Sequence, residues 1–138
     1  MSDNFELDDL LKHLSPERHS DVFVFHSFPL MSLAQAEAYQ PVSIYQEKEG
    51  LSLVITQDTA DRMALTYHSV FALITLNVHS DLNAVGLTAA VSSALAKKGI
   101  SCNVVAAFHH DHLFVPKERA SEAMDILWNM SMNNFPHP

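Results

Sequence analysis

Phe71-Ala72-Leu73-Ile74-Thr75-Leu76-Asn77-Val78 opens the stretch, Phe71 to Pro116, around which the chain reads most clearly. The run is apolar and rich in branched side chains, the composition of a mostly buried strand. The turn His79-Ser80-Asp81-Leu82-Asn83-Ala84-Val85-Gly86 follows it. Beyond the turn, Leu87, Ala90, Val91, Ala94 and Leu95 recur at the spacing of an amphipathic helix. Lys97 and Lys98 put cations in its last turn, and Gly99 supplies the left-handed residue that ends it. Cys102 to Phe108 reads as a second strand, His109-His110-Asp111 as a tight turn, and His112 to Val115 as a third strand. Ala120, Ala123, Met124, Leu127 and Trp128 form the stripe of a second helix.

The earlier part of the chain repeats this order of elements without repeating its residues. Phe5, Leu7, Leu10, Leu11 and Leu14 have the spacing of a short helix that covers a sheet, closed by Ser15-Pro16. Asp21 to Phe28 reads as a strand with Phe23 and Phe25 on one face and valines on the other, stopped by Pro29. Leu30 to Gln40 permits a helical turn. Val42 to Gln46 and Leu51 to Ile55 alternate apolar and polar residues around Glu47-Lys48-Glu49-Gly50, a hairpin with glycine where positive φ is needed. Thr56-Gln57-Asp58 opens another helix, running to Leu65. Strand, helix, strand, strand, helix therefore occurs twice. The expected fold is α+β: two tandem ferredoxin-like units of βαββα type, 1–66 and 67–132, packed as one body, followed by a frayed tail from Asn133.

Composition narrows the function. The chain has 138 residues, 48% of them hydrophobic and 17% charged, which suits a packed domain and argues against disorder. A net charge of −8 with only eight basic residues argues against nucleic acid as a partner. No apolar run reaches the ~18 residues of a membrane span, and the acidic N-terminus is unlike a signal peptide. Cys102, the single cysteine, fits a reducing cytoplasm and reads as a small core hydrophobe.

Two clusters of polar residues invite a chemical reading. The first is the turn from His79 to Gly86. A helix start offers free N–H groups and a positive dipole end, which suit a carboxylate, and Gly86 allows close approach. Ser80, Asp81 and Asn83 either cap and turn the chain or contact a ligand. The second cluster is His109-His110-Asp111-His112. Histidines and aspartate suggest a metal, but only His110 and His112 share a strand face, with His79 conceivable as a third ligand. Hydrogen-bonded histidines in a polar turn remain the simpler account, and no metal or cofactor is expected. With three glycines, no phosphate loop, no Gly-x-Ser-x-Gly elbow and no Cys-x-x-Cys, nothing marks an enzyme.

Leu73 to Ser80, Ala84 to Val91, Gly99 to Ala107 and His110 to Pro116 together resemble small bacterial stand-alone proteins with two tandem ACT domains. Glu49 to Ile55 resembles the strand pair of the first unit. The same pair is similar to the ACT units of aspartate kinases. The resemblance spans roughly residues 8–130 and is specific in the second unit, loose in the first. It implies βαββαβ modules that bind amino acids or other small metabolites. It also implies ligand contacts at His79, Ser80, Asp81, Leu82, Asn83, Val85 and Gly86, with Asn103 and Val104 from the facing strand. Many ACT domains place proline before the helix glycine, where this chain has Val85. No catalytic domain accompanies the units, so a regulated partner is expected to be a separate protein.

The resulting expectation is a cytoplasmic, non-enzymatic homodimer that senses a small molecule, most simply a free amino acid. Its alternatives are a ligand-free interaction module and a small metal protein using His79, His110 and His112.

Overall fold

A computed structural model describes residues 3–133. The expected tail beyond Asn133 lies outside them, as does the side chain of Phe5. In chain order the elements are α1 (Asp3–Lys12), β1 (Pro16–Phe28), α2 (Leu33–Ala36), β2 (Ser43–Glu47), β3 (Gly50–Thr56), α3 (Gln57–Arg62), β4 (Phe71–Leu76), α4 (Leu87–Lys97), β5 (Asn103–Ala106), β6 (Asp111–Pro116) and α5 (Ala120–Asn133). Short 3₁₀ turns, Glu37–Tyr39 and Lys117–Arg119, follow α2 and precede α5. They group into two compact units, one of residues 20–71 and one of residues 1–19 with 72–138. Of the described residues, 3–19 therefore group with the later half of the chain.

In the unit of residues 20–71 the strand order is β2-β3-β1. β3 pairs antiparallel with β1 from Phe23↔Thr56 to Phe28↔Leu51, and with β2 from Ser43↔Val54 to Glu47↔Gly50. As the central strand, β3 supplies half of the core: Leu51, Leu53 and Ile55 join Val24, Ala36 and Ala60. Each short helix is fixed at its start by a hydroxyl. Ser32 and Gln35 form a reciprocal capping box on α2, and Thr56 accepts from the Thr59 N–H at the head of α3. The expected hairpin glycine, Gly50, has φ +135, and a Cβ there would lie 2.5 Å from the Phe28 carbonyl oxygen.

In the other unit the order is β1-β4-β6-β5, with β5 and β6 antiparallel in the register Asn103↔Phe114 to Ala106↔Asp111. Ala72, Ile74 and Leu76 of β4 share a core with Leu113 and Val115 of β6 and with apolar residues of three helices. Those are Leu11 from α1, Leu87, Val91 and Leu95 from α4, and Ala120, Ala123 and Leu127 from α5. α4 ends as its sequence predicts. The Gly99 N–H donates to Ala96 O at 2.9 Å and the Ile100 N–H to Leu95 O at 3.0 Å, the two bonds of a Schellman motif. Arg119 reaches the same helix end and donates to Lys98 O at 2.9 Å.

Two expectations need correction. β1 begins at Pro16, five residues before the expected Asp21. Residues 17–21 are exposed, so backbone pairing forms this part of the strand without any apolar alternation to announce it. On α5 the buried stripe is Ala120, Ala123, Leu127 and Ser131, and Trp128 is 44% exposed. Its last place is taken by Ser131, whose hydroxyl donates to Lys12 O at 2.9 Å and ties α5 to the end of α1.

Leu127→Ala should therefore cost about 2–5 kcal/mol and Trp128→Ala less than about 1 kcal/mol in chemical denaturation. Similar losses for the two variants would contradict the assigned face of α5.

Candidate functional site

The chain leaves β4 through Val78, which stays buried, and then turns. Asp81 Oδ1 accepts from the Asn83 N–H at 2.8 Å, and Asp81 O accepts from the Ala84 N–H at 2.9 Å. The aspartate thus shapes its own loop. α4 begins at Gly86, whose φ is +104 and whose carbonyl receives the first helical bond, from the Ala90 N–H at 2.9 Å. None of Ser80, Asp81 and Asn83 caps this helix; its start carries no side-chain cap.

Beside this helix start lies a cavity of about 130 Å³. Ser80, Asp81, Leu82 and Ala84 line it from the loop, and Leu87 and Thr88 from the first turn of α4. Ala106 and Ala107 line it from the end of β5, and Asp111 from the start of β6. Ser80, Asp81 and Leu82 are brought together as the sequence suggests. Six other expected residues do not line the cavity. His79 is exposed, with its ring 4.9 Å from that of His110. Asn83 and Val85 are exposed on the loop. Gly86 faces α1: a Cβ there would come within 3.2 Å of the Leu7 side chain. Asn103 and Val104 lie at the other end of β5, where they pair with Phe114 and Leu113. Three residue steps along the strand, roughly 10 Å, separate Asn103 from Ala106. The turn itself signals which end of the hairpin faces the loop, since Ala107 N–H donates to His110 O and closes it beside Asp111.

Asp111 is only 8% exposed. Burial raises its carboxyl above the ordinary range, opposed by His112, by a hydrogen bond from Ser80 and by His110. His112 is shifted the other way: burial holds it below the ordinary histidine value, helped by His110 and His19 and opposed by Asp111. Its Nδ1 lies 2.8 Å from the Thr75 hydroxyl, which lies 3.0 Å from His19 Nε2. One hydroxyl, itself buried in β4, thus joins two imidazoles. His110 Nδ1 is buried without a hydrogen-bond partner. Among the described residues no three His, Cys, Asp or Glu side chains converge to hold a metal ion. Cys102 packs against the core, and burial pushes its thiol up to about 11, so it is protonated at neutral pH.

Family profiles described as ACT domain match residues 4–72 and residues 68–129, and the chain belongs to this family. No curated protein matches it. Among solved structures it is similar to a Vibrio cholerae protein of unknown function described as a "Possible Transport Protein". That likeness has 40% identity and a TM-score of 0.85, over 94% of this chain and 99% of the other. It also resembles an Agobacterium tumefaciens protein at 23% identity and TM-score 0.58, over 80% and 81% of the two chains. The regulatory subunit of aspartate kinase from Thermus flavus shares the fold at 12% identity and TM-score 0.60, over 83% and 95%. Two tandem ferredoxin-like ACT units are thus the architecture of this protein. Among the described residues no helix is long and apolar enough to cross a membrane.

Asp111 and His112 give opposite pH signatures. A raised carboxyl adds stability on the acid side and loses it as pH rises through its folded value. A depressed imidazole adds stability above the ordinary value of 6.5, and that stability is lost as pH falls toward its folded value. His112→Gln should flatten the fall in thermal stability from neutral to mildly acidic pH; an unchanged profile would mean that other groups set it.

Proposed function

We propose that this ACT protein binds a free amino acid in the cavity at the start of α4 and regulates a separate partner protein, with no catalytic activity of its own. A helix start without a side-chain cap and an almost wholly buried carboxylate meet in one cavity, and this carries the assignment. First-turn N–H groups and the helix dipole suit a ligand carboxylate, while an acid suits an ammonium group. ACT domains generally bind small-molecule ligands, and the Thermus flavus neighbour is a regulatory subunit. In chain order the proposal takes the units as 1–66 and 67–132. A homodimer in the cytoplasm completes it. In support, β5 ends the strand order of its unit, Leu82, Val85 and Phe108 expose apolar surface, and Cys102 is a free thiol.

Thermal unfolding against each of the twenty amino acids at millimolar concentration tests this directly. A ligand at about a hundred times its Kd adds ~2.7 kcal/mol, a shift of several degrees. Ala106→Phe, which fills the cavity from an exposed strand position, should abolish the shift, and Asn103→Ala should retain it. A flat response of the wild-type protein would sink the proposal.

The exposed Leu82, Val85 and Phe108 also favour a second reading, a protein-interaction module without a ligand. Recovery of a defined partner whose binding is lost in Phe108→Ser, alongside that flat response, would establish it.

A further inference from the structure

Asp81 and Asp111 both line the cavity, but they differ in what they can offer a ligand. Asp81 is exposed and its Oδ1 is engaged by the Asn83 N–H at 2.8 Å, so it is screened by water and holds the loop. Asp111 is almost wholly withdrawn from solvent on the cavity wall. The ion pairs found among the described residues, His13 with Asp9 and Arg119 with Glu122, leave it without a fixed cation. Its neighbours are the Ser80 hydroxyl and the imidazoles of His110 and His112, the second of which burial holds toward its neutral form. A buried carboxylate so placed gains more from an incoming positive charge than an exposed one, because the surroundings screen the attraction less.

We propose that Asp111 is the specificity-determining residue of this cavity, accepting hydrogen bonds from a primary ammonium group that every ligand must carry. This rests on the amino-acid reading above and narrows it. The ammonium end goes to Asp111 at the start of β6, and the carboxylate end goes to the first turn of α4. Compounds that keep the carboxylate but lack the amine are rejected, since they leave the buried carboxylate facing a neutral or anionic group.

The test uses the full-length protein and, for each amino acid that raises its Tm, the matching α-hydroxy acid in which a hydroxyl replaces the amine. Calorimetry should show the hydroxy acid binding at least about tenfold more weakly, the scale of a hydrogen bond to a charged group. Asp111→Asn, close in shape, should weaken the amino acid by a similar factor. Equal affinity for amino acid and hydroxy acid overturns the ammonium assignment. The cavity reading then still stands if Ala106→Phe abolishes binding of both. No binding of any amino acid overturns the cavity reading and this inference with it. Should Asp111→Asn fail to fold, the comparison of the two wild-type affinities decides alone.

Discussion

Burial of β4 is the constraint on which the later unit depends. Ala72, Ile74 and Leu76 enter the core shared with α1, α4 and α5, while Leu73 and Thr75, on the opposite face, are also withdrawn from water. A strand buried on both faces tolerates a polar side chain only where its hydrogen bonds are met. Thr75 is that exception in β4, and two imidazoles meet it. The strand also fixes where the chain emerges: one turn after Val78 it builds the loop, and the loop builds one wall of the cavity.

Much of the fold was legible because its signals are local. The α4 stripe, the Gly99 stop, the Gly50 hairpin and the Thr56 cap each depend on a few neighbouring residues, and each forms as read. The start of β1 was not legible, since Glu17, Arg18, His19 and Ser20 lie exposed and show no apolar alternation, and the partners of the first three are distant in sequence. Trp128 misled for a related reason. Its spacing from Met124 fits the helical stripe, yet the helix turns Leu127 inward and closes its last buried position with the Ser131 hydroxyl.

The cavity was half legible. Ser80, Asp81 and Leu82 could be found because the loop is contiguous with the helix start, while His79, Asn83, Val85 and Gly86 of the same loop do not line the cavity. The opposite wall depends on which end of the β5–β6 hairpin meets that loop, a matter of register between distant residues, and so Ala106, Ala107 and Asp111 stood in for Asn103 and Val104. Gly86 looked like an opening for a ligand, whereas its missing side chain makes room for Leu7 of α1. The glycine answers to its own φ of +104 and to the side chain that faces it, and its sequence neighbours do not reveal the second.

The division of the chain bears on the order in which it can fold. Residues 20–71 are continuous, so every contact of that unit is available once the ribosome has released them. The other unit joins residues 1–19 to residues 72–138, and Ser131 near its far end holds the carbonyl of Lys12 near its beginning. Closing so long a loop is slow and waits for the last helix. Until α5 is in place, Leu11 and Leu14 lack the part of their shared core that Ala120, Ala123 and Leu127 supply.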